Sequence, residues 1–206
     1  MIELLLADDE ALIRSAMAAL LGLEDDIEVI AHFGSGEQLI GAWRQRVEGN
    51  QPVAVAVIDL QMPGIDGIDT AIELLSLTPT AGIVIVTSHG RPGYLKRALT
   101  AGVRGFLPKT APAATLADVI RTVHSGGRHI DPQLAVEAIS AGDTTLTARE
   151  ADVLEFAADG ASVDEIAARA YLSAGTTRNY LSSAMSKLGA SNRYEAALTA
   201  RRYGWI

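Results

Sequence analysis

Residues 53–69 read VAVAVIDLQMPGIDGID, and their pattern indicates the fold class of the first half of the chain. Its first six residues are β-branched or alanine and do not alternate with polar residues, which predicts a strand that is buried on both faces. Asp59 follows this strand. A Pro-Gly turn comes next, and Ile68–Leu77 has the spacing of an amphipathic helix. The stretch is therefore typical of one strand–loop–helix unit of a parallel sheet.

The same unit recurs on both sides of this stretch. The predicted strands are Ile2–Ala7, Glu28–Phe33, Val53–Ile58, Ile83–Val86 and Gly105–Leu107. The predicted helices that alternate with them are Ala11–Leu21, Glu37–Val47, Ile68–Leu77, Tyr94–Thr100 and Ala114–His124. Five such units predict a doubly wound, flavodoxin-like α/β domain with a five-stranded parallel sheet in residues 1–125.

The rest of the chain is organised differently. Residues 126–145 hold Gly, Pro and polar residues around one short helical segment, Pro132–Ala141, and we expect a linker here. The predicted helices beyond it are Thr147–Ala158, Val163–Tyr171, Thr176–Leu188 and Arg193–Tyr203. Residues 146–206 are therefore predicted to form a small all-α domain, whose second and third helices and intervening turn have a helix-turn-helix pattern.

The composition excludes several classes of protein. The 206 residues include no cysteine, which excludes disulfides, thiolate metal sites and thiol catalysis. The first residues lack a basic leader, and no stretch approaches the roughly 18 apolar residues of a membrane helix. We therefore expect a cytoplasmic protein with no membrane partner.

The net charge of −8 is unevenly distributed. Residues 1–140 carry −7 and residues 141–166 carry −6, whereas residues 167–206 carry +5. A basic end on an acidic chain is expected either for a localised contact with nucleic acid or for a solvated basic helix face.

Side chains that could hold a metal ion and a phosphate follow the predicted strands. Asp8 and Asp9 close the first strand and Asp59 the third, while Thr87 closes the fourth and Lys109 follows the fifth. Carboxyl ends of parallel strands form the ligand-binding edge of such sheets. Three carboxylates brought together need a cation, and oxygen ligands suit Mg²⁺. An aspartate in this place could accept a phosphoryl group, whose charge the metal and the lysine would neutralise. Each residue alone more often has a structural role, but five at one edge favour a site.

Four strings resemble the receiver domain of bacterial two-component response regulators. They are LLLADDE (4–10), VAVIDLQMPGIDGID (55–69), IVIVTSHG (83–90) and AGVRGFLPK (101–109). The resemblance covers residues 1–125. It implies that Asp8, Asp9 and Asp59 bind Mg²⁺ together with the backbone carbonyl of Gln61, and that a histidine kinase phosphorylates Asp59.

The same resemblance assigns the residues that respond to the phosphate. Thr87 and Lys109 are expected to contact it. Phe106 stands where the family has its switching aromatic residue, often Tyr; phenylalanine can rotate inward but cannot donate a hydrogen bond. Gln61 and His89, each two residues beyond a pocket residue, are expected to flank the path of the hydrolytic water and so to set the lifetime of the phosphate.

The third predicted helix of the second domain has one apolar and one polar face. The expected DNA-contacting residues at its polar face and N-terminal end are Thr176, Arg178, Asn179 and Ser182. Arginine suits guanine and asparagine suits adenine in the major groove, so this face predicts a DNA-reading surface. Lys187 is expected to approach the DNA backbone from the other end of the helix.

Residues 146–204 resemble the LuxR-type helix-turn-helix domain over nearly their full length. A receiver followed by this domain is the architecture of the NarL/FixJ family of response regulators, and RNYLSSAMSKLGASNR (178–193) is most similar to its DesR-type subgroup. The resemblance implies a transcription factor, not an enzyme, that forms a homodimer on phosphorylation and binds promoter DNA. Thr177 departs from the usual Val, and Asn179 with Tyr180 replaces a common His, which suggests a different base preference.

Three other classes of protein fit less well. An aspartyl-phosphate enzyme of the haloacid-dehalogenase type needs a second Asp two residues past the first, where this chain has Gln61. A nucleotide-binding oxidoreductase needs a Gly-rich fingerprint after the first strand, and none is present. A regulator that works without phosphorylation usually lacks pocket residues, and this chain has all of them.

Overall fold

The computed structural model describes residues 1–88, 92–140, 144–203 and 205–206, and six strands among them form one parallel sheet. The strands are β1 Ile2–Ala7, β2 Ile27–Phe33, β3 Val55–Asp59, β4 Gly82–Thr87, β5 Gly105–Pro108 and β6 His129–Ile130. Their spatial order is β2-β1-β3-β4-β5-β6. The chain divides into two compact units, residues 1–90 with 97–132, and residues 91–96 with 133–206.

Helices follow the strands and then continue alone. The helices of the first half are α1 Ala11–Leu21, α2 Gly36–Glu48, α3 Gly67–Leu77, α4 Pro92–Thr100 and α5 Ala113–His124. Those that follow β6 are α6 Pro132–Ser140, α7 Ala148–Ala158, α8 Val163–Arg169, α9 Ala174–Leu188 and α10 Arg193–Arg202. Within the described ranges, no helix combines the length and the apolar character that crossing a bilayer requires.

The central strand β3 is buried over its whole length, as its continuous apolar run predicted. Helix α3 starts very close to the end of β3. A Cβ atom at Gly67 would lie 2.2 Å from the carbonyl oxygen of Asp59, so only glycine fits there. The Asp66 side chain caps this helix by accepting hydrogen bonds from the N–H groups of Ile68 and Asp69. The loop between β3 and α3 is thereby fixed at both ends.

The structure confirms the doubly wound parallel sheet but corrects the strand count from five to six. The sixth strand, β6, lies in the segment that was predicted to be a linker, and it pairs with β5. The N–H of His129 donates to the Arg104 carbonyl at 2.8 Å, and the N–H of Asp131 donates to the Phe106 carbonyl at 3.0 Å. Two residues are too few to show a hydrophobic period, so sequence patterning does not detect this strand.

The second unit contains the helical core of the chain's C-terminal part. Leu154, Ile166 and Leu181 are buried in it, and small side chains such as Ala184 and Ala197 fill the spaces between helices α7 to α10. The short side chains allow the helices to approach closely. The helix-turn-helix formed by α8 and α9 is therefore held by a core that is rich in alanine.

Candidate functional site

The three predicted acids meet at the carboxyl edge of the sheet. Ala7, the last residue of β1, pairs with Ile58 of β3, so Asp8 and Asp59 follow side by side. One carboxylate oxygen from each of Asp8, Asp9 and Asp59 lies within 4.8 Å of the others. Asp8 and Asp59 are buried, while Asp9 is partly exposed. The strand register thus brings the acids together from positions that are distant in sequence.

Lys109 and Thr87 lie at the same edge. The N–H of Lys109 donates to the Thr87 carbonyl at 2.7 Å, which ties the end of β5 to the end of β4. The Lys109 ammonium lies 2.9 Å from Asp8 Oδ2 and 3.0 Å from Asp59 Oδ2. A third carboxylate, that of Glu10, lies 3.0 Å from the same nitrogen. The pocket therefore holds more negative charge than its lysine can balance.

The acid–base properties of the pocket follow mainly from burial, and the neighbouring charges modify them. Burial raises the pKa of Asp59 to about 7; Lys109 opposes the rise, and the charge of Asp8 adds to it. Burial also raises the pKa of Asp8, against the stabilising contact with Lys109. Burial alone would lower the pKa of Lys109, but its contacts with Asp8, Asp59 and Glu10 outweigh that effect and raise it.

A divalent cation with oxygen ligands suits this pocket. Asp8, Asp9 and Asp59 supply carboxylate oxygens only, and the charge that burial leaves poorly neutralised is negative. Mg²⁺ prefers such ligands and keeps positions open for water or phosphate. The residues present therefore fit Mg²⁺.

The remaining predicted pocket residues are placed as follows. Phe106 is buried in β5, three residues before Lys109. Gln61 is partly exposed, and its N–H donates to Asp59 Oδ1 at the long distance of 3.5 Å. His89 lies outside the described residues.

We expect pH to change the stability of the first unit through Asp59. Its carboxyl has a pKa of about 7 in the folded chain, against an ordinary value of 3.8. Between these values the folded protein holds a proton that the unfolded chain releases, so stability falls as the pH rises towards about 7. Replacing Asp59 with Asn should therefore raise the free energy of unfolding by about 1–3 kcal/mol above neutral pH.

Chemical denaturation of both proteins at about pH 5 and about pH 8 measures this effect. At about pH 5 the increase in the free energy of unfolding caused by Asp59→Asn should be small. At about pH 8 the increase should become smaller when Mg²⁺ is added. An equal gain at both pH values would contradict a charge effect.

The second predicted site lies on α9, the second helix of the helix-turn-helix. The helix begins at Ala174, two residues before the predicted start, because Ser173 caps it by accepting from the N–H of Thr176 at 3.1 Å. Arg178, Asn179 and Ser182 are exposed, and Thr176 is partly exposed. The predicted contact residues therefore share an accessible surface of α9.

The buried face of α9 contains the residue that departs from the family pattern. Thr177 is fully buried, and its hydroxyl donates to the Ser173 carbonyl at 3.0 Å. A buried hydroxyl costs little when it is hydrogen-bonded. The polar residue is therefore accommodated without loss of the helix.

Lys187 has a partner within the second unit. Its ammonium lies 2.7 Å from Glu150 Oε2, and Glu150 is buried at 3% exposure. The Ser183 hydroxyl donates to the other carboxylate oxygen at 2.6 Å, and the N–H of Thr147 donates to Oε2 at 2.6 Å. Burial would raise the pKa of Glu150, but the contacts with Lys187, Ser183 and Thr147 outweigh it and lower that pKa. Lys187 thus links α9 to the start of α7.

Sequence reasoning missed two residues that shape these sites. Glu10 contacts Lys109, and Glu150 contacts Lys187. The signal for Glu150 was present, because Thr147 and Glu150 have the spacing of a capping box, which the structure contains. The signal for Glu10 was only its position directly after the two pocket acids.

Two protein families match the chain. Residues 4–121 match the response regulator receiver domain, and residues 144–200 match the bacterial regulatory proteins of the luxR family. Together the two matches span most of the chain.

Similar proteins match the chain over nearly their full length. The chain is 38% identical to the transcriptional regulatory protein DesR of Bacillus subtilis over 206 residues, which is 100% of both chains. It is 39% identical to the transcriptional regulatory protein UhpA of Escherichia coli over 96% of each chain. Among solved structures, RcsB of Salmonella enterica bound to a promoter in the presence of the phosphomimetic BeF3⁻ is 25% identical, with a TM-score of 0.66 and 98% of each chain covered.

Proposed function

Since the chain belongs to the NarL/FixJ family of response regulators, we propose that phosphorylation of Asp59 switches its binding to promoter DNA. The family membership makes it a transcriptional regulator with a receiver and a LuxR-type DNA-binding domain. The observation that carries the proposed switch is the meeting of Asp8, Asp9, Asp59 and Lys109 at one sheet edge.

The proposed reaction moves a phosphoryl group from a phosphohistidine of a sensor kinase to Asp59. An oxygen of the Asp59 carboxylate attacks phosphorus, and the bond from phosphorus to the histidine nitrogen breaks. That nitrogen keeps the electron pair, and the ring leaves as neutral imidazole because its other nitrogen carries a proton. Mg²⁺ held by Asp8, Asp9 and Asp59, with the backbone carbonyl of Gln61, would neutralise charge on the phosphoryl oxygens. Lys109 supports this role because its ammonium already lies 3.0 Å from Asp59.

We propose that the signal then passes through the ends of β4 and β5. The Thr87 hydroxyl would donate to the phosphoryl oxygens, and Lys109 would shift from Asp8 towards them. Phe106 would respond by packing alone, since its ring cannot donate a hydrogen bond; its burial in β5 supports an inward position. Gln61 and His89 are proposed to flank the route of the hydrolytic water.

The proposed DNA interface is the exposed surface of α9. Arg178, Asn179 and Ser182 would contact base edges, with Thr176 at the start of the helix. Only about five net positive charges lie in residues 167–206, so one copy should bind weakly and two copies on paired half-sites should be needed. Helix α10 is the proposed contact between DNA-binding domains, because Tyr194 and Leu198 are exposed one turn apart on it. The proposed place of action is the cytoplasm, where promoter DNA lies.

We expect a phosphodonor with Mg²⁺ to convert the protein into a dimer that protects paired half-sites. Light scattering measures the oligomeric state, and footprinting measures the protected DNA. The Asp59→Ala protein, treated in the same way, is the control and should stay unchanged. Equal and tight binding by a monomer with and without the donor would contradict the switch, although the DNA-binding assignment would survive.

A further inference from the structure

The lysine of the pocket has a partner outside the metal-binding acids. Glu10 Oε1 lies 3.0 Å from the Lys109 ammonium, which Asp8 and Asp59 also contact. The Glu10 side chain is 56% exposed, whereas that of Lys109 is 7% exposed. Glu10 therefore stands at the mouth of the pocket, between solvent and the buried acids.

The backbone fixes Glu10 in this position. Its N–H donates to Asp8 Oδ1 at 2.9 Å, and its carbonyl accepts the N–H of Arg14 at 2.9 Å at the start of α1. Glu10 is the N-cap residue of α1, yet its side chain makes no capping hydrogen bond. The N-cap residues Ser35 and Asp66 do use their side chains to cap α2 and α3. The carboxylate of Glu10 is thus directed to the pocket and not to its own helix.

The Glu10 carboxylate lies beside Asp59, where a phosphodonor would bind. Glu10 Oε1 and Asp59 Oδ2 each lie 3.0 Å from the same ammonium nitrogen, so the negative charge of Glu10 would lie close to a phosphoryl group on Asp59. Another cation at this end of β1 is Arg14, whose guanidinium donates to the backbone carbonyl of Asp8 at 2.5 Å. The negative charge of Glu10 at this position would repel an incoming anion.

We propose that Glu10 is a specificity residue that selects phosphodonors by charge and disfavours small dianionic acyl phosphates. The inference rests on the proposed role of Asp59 as the phosphoryl acceptor. In the disfavoured reaction the Asp59 oxygen bonds to phosphorus while the acyl oxygen–phosphorus bond breaks, and the carboxylate leaves with the electron pair. Glu10 acts through its own negative charge, without contacting the reacting atoms.

Replacing Glu10 with Gln tests the proposal, because it removes the charge and keeps the size of the side chain. At saturating Mg²⁺ and neutral pH, labelling by acetyl phosphate, a dianion, should become about three- to tenfold faster. Labelling by phosphoramidate, a monoanion, should gain only about the square root of that factor, because the repulsion energy is halved. A structural effect of the substitution would change both rates by the same factor.

Matched variants complete the experiment. Glu73→Gln makes the same charge change on the exposed surface of α3 and should leave both rates unchanged. Glu10→Asp keeps the charge and should keep the wild-type ratio of the two rates. Added salt should accelerate acetyl phosphate labelling of the wild type more than that of Glu10→Gln, because it screens the repulsion.

Two results separate failure of this inference from failure of the proposed function. If the wild type is labelled but Glu10→Gln changes neither rate, or changes both alike, the role of Glu10 is overturned. If neither donor labels the wild type, the phosphoacceptor role of Asp59 is contradicted, and so is the role of Glu10 that rests on it.

Discussion

Replacing Asp59 with Ala should abolish covalent labelling of the protein by acetyl phosphate or phosphoramidate. The substitution removes the proposed nucleophile from a pocket whose other acids, Asp8 and Asp9, are placed to hold a cation. Mass spectrometry of the intact protein measures the labelled fraction. Asp25→Ala, which removes an exposed carboxylate from the same unit, should be labelled like the wild type.

The other two acids should give a different result in the same experiment. Asp8→Ala and Asp9→Ala keep the acceptor but lose a metal ligand, so labelling should slow by at least about tenfold and should need more Mg²⁺. Labelling of Asp59→Ala at the wild-type level would contradict the assignment of the acceptor. A Mg²⁺ requirement that is unchanged in both ligand variants would contradict the metal site.

Replacing Arg178 with Ala should weaken binding to the specific DNA site by about 1–3 kcal/mol and relax the preference at one base pair. The side chain is exposed on α9, one turn before Ser182, and its guanidinium suits two acceptors of guanine. Titrations of the phosphorylated protein with the specific site and with single-base variants of it measure both effects. Arg202→Ala removes the same charge from the end of α10 and should leave the base preference unchanged.

Lys187→Ala provides the contrast in that titration. Loss of a lysine that approaches phosphate should weaken binding to all sequences alike, because phosphate contacts carry no direct sequence information. It should also flatten the salt dependence of binding. The structure adds a second expectation, since Lys187 balances the buried carboxylate of Glu150. Its loss should also destabilise the second unit, so a thermal melt must accompany the binding data. Loss of preference at a single base pair in this variant would contradict a backbone role.

The closeness of the three acids could be predicted from the sequence because a parallel sheet follows simple geometry. All strands of a parallel sheet end at the same edge, so acids at the carboxyl ends of two neighbouring strands must lie at that edge. Asp8 and Asp59 lie close together there, as expected. Helix ends were less well predicted. The start of α9 differs by two residues from the prediction, because Ser173 caps the helix earlier than the apolar spacing begins.

The contact partners of long charged side chains could not be predicted from the sequence. Glu10 and Lys109 are 99 residues apart, and Glu150 and Lys187 are 37 apart. Each of these side chains has several rotatable bonds, so its partner depends on which backbone segments the fold brings within reach. Charge patterning along a chain does not contain that information.

The short strand β6 has a practical consequence for dissecting the protein. It covers the outer edge of β5, where the carbonyls of Arg104 and Phe106 accept hydrogen bonds from His129 and Asp131. A fragment that is cut after residue 125 would lose these donors and leave an open sheet edge, which invites pairing with a second molecule and aggregation. A self-association measured on such a fragment would then reflect the cut edge and not the phosphate. An isolated receiver should extend past Asp131.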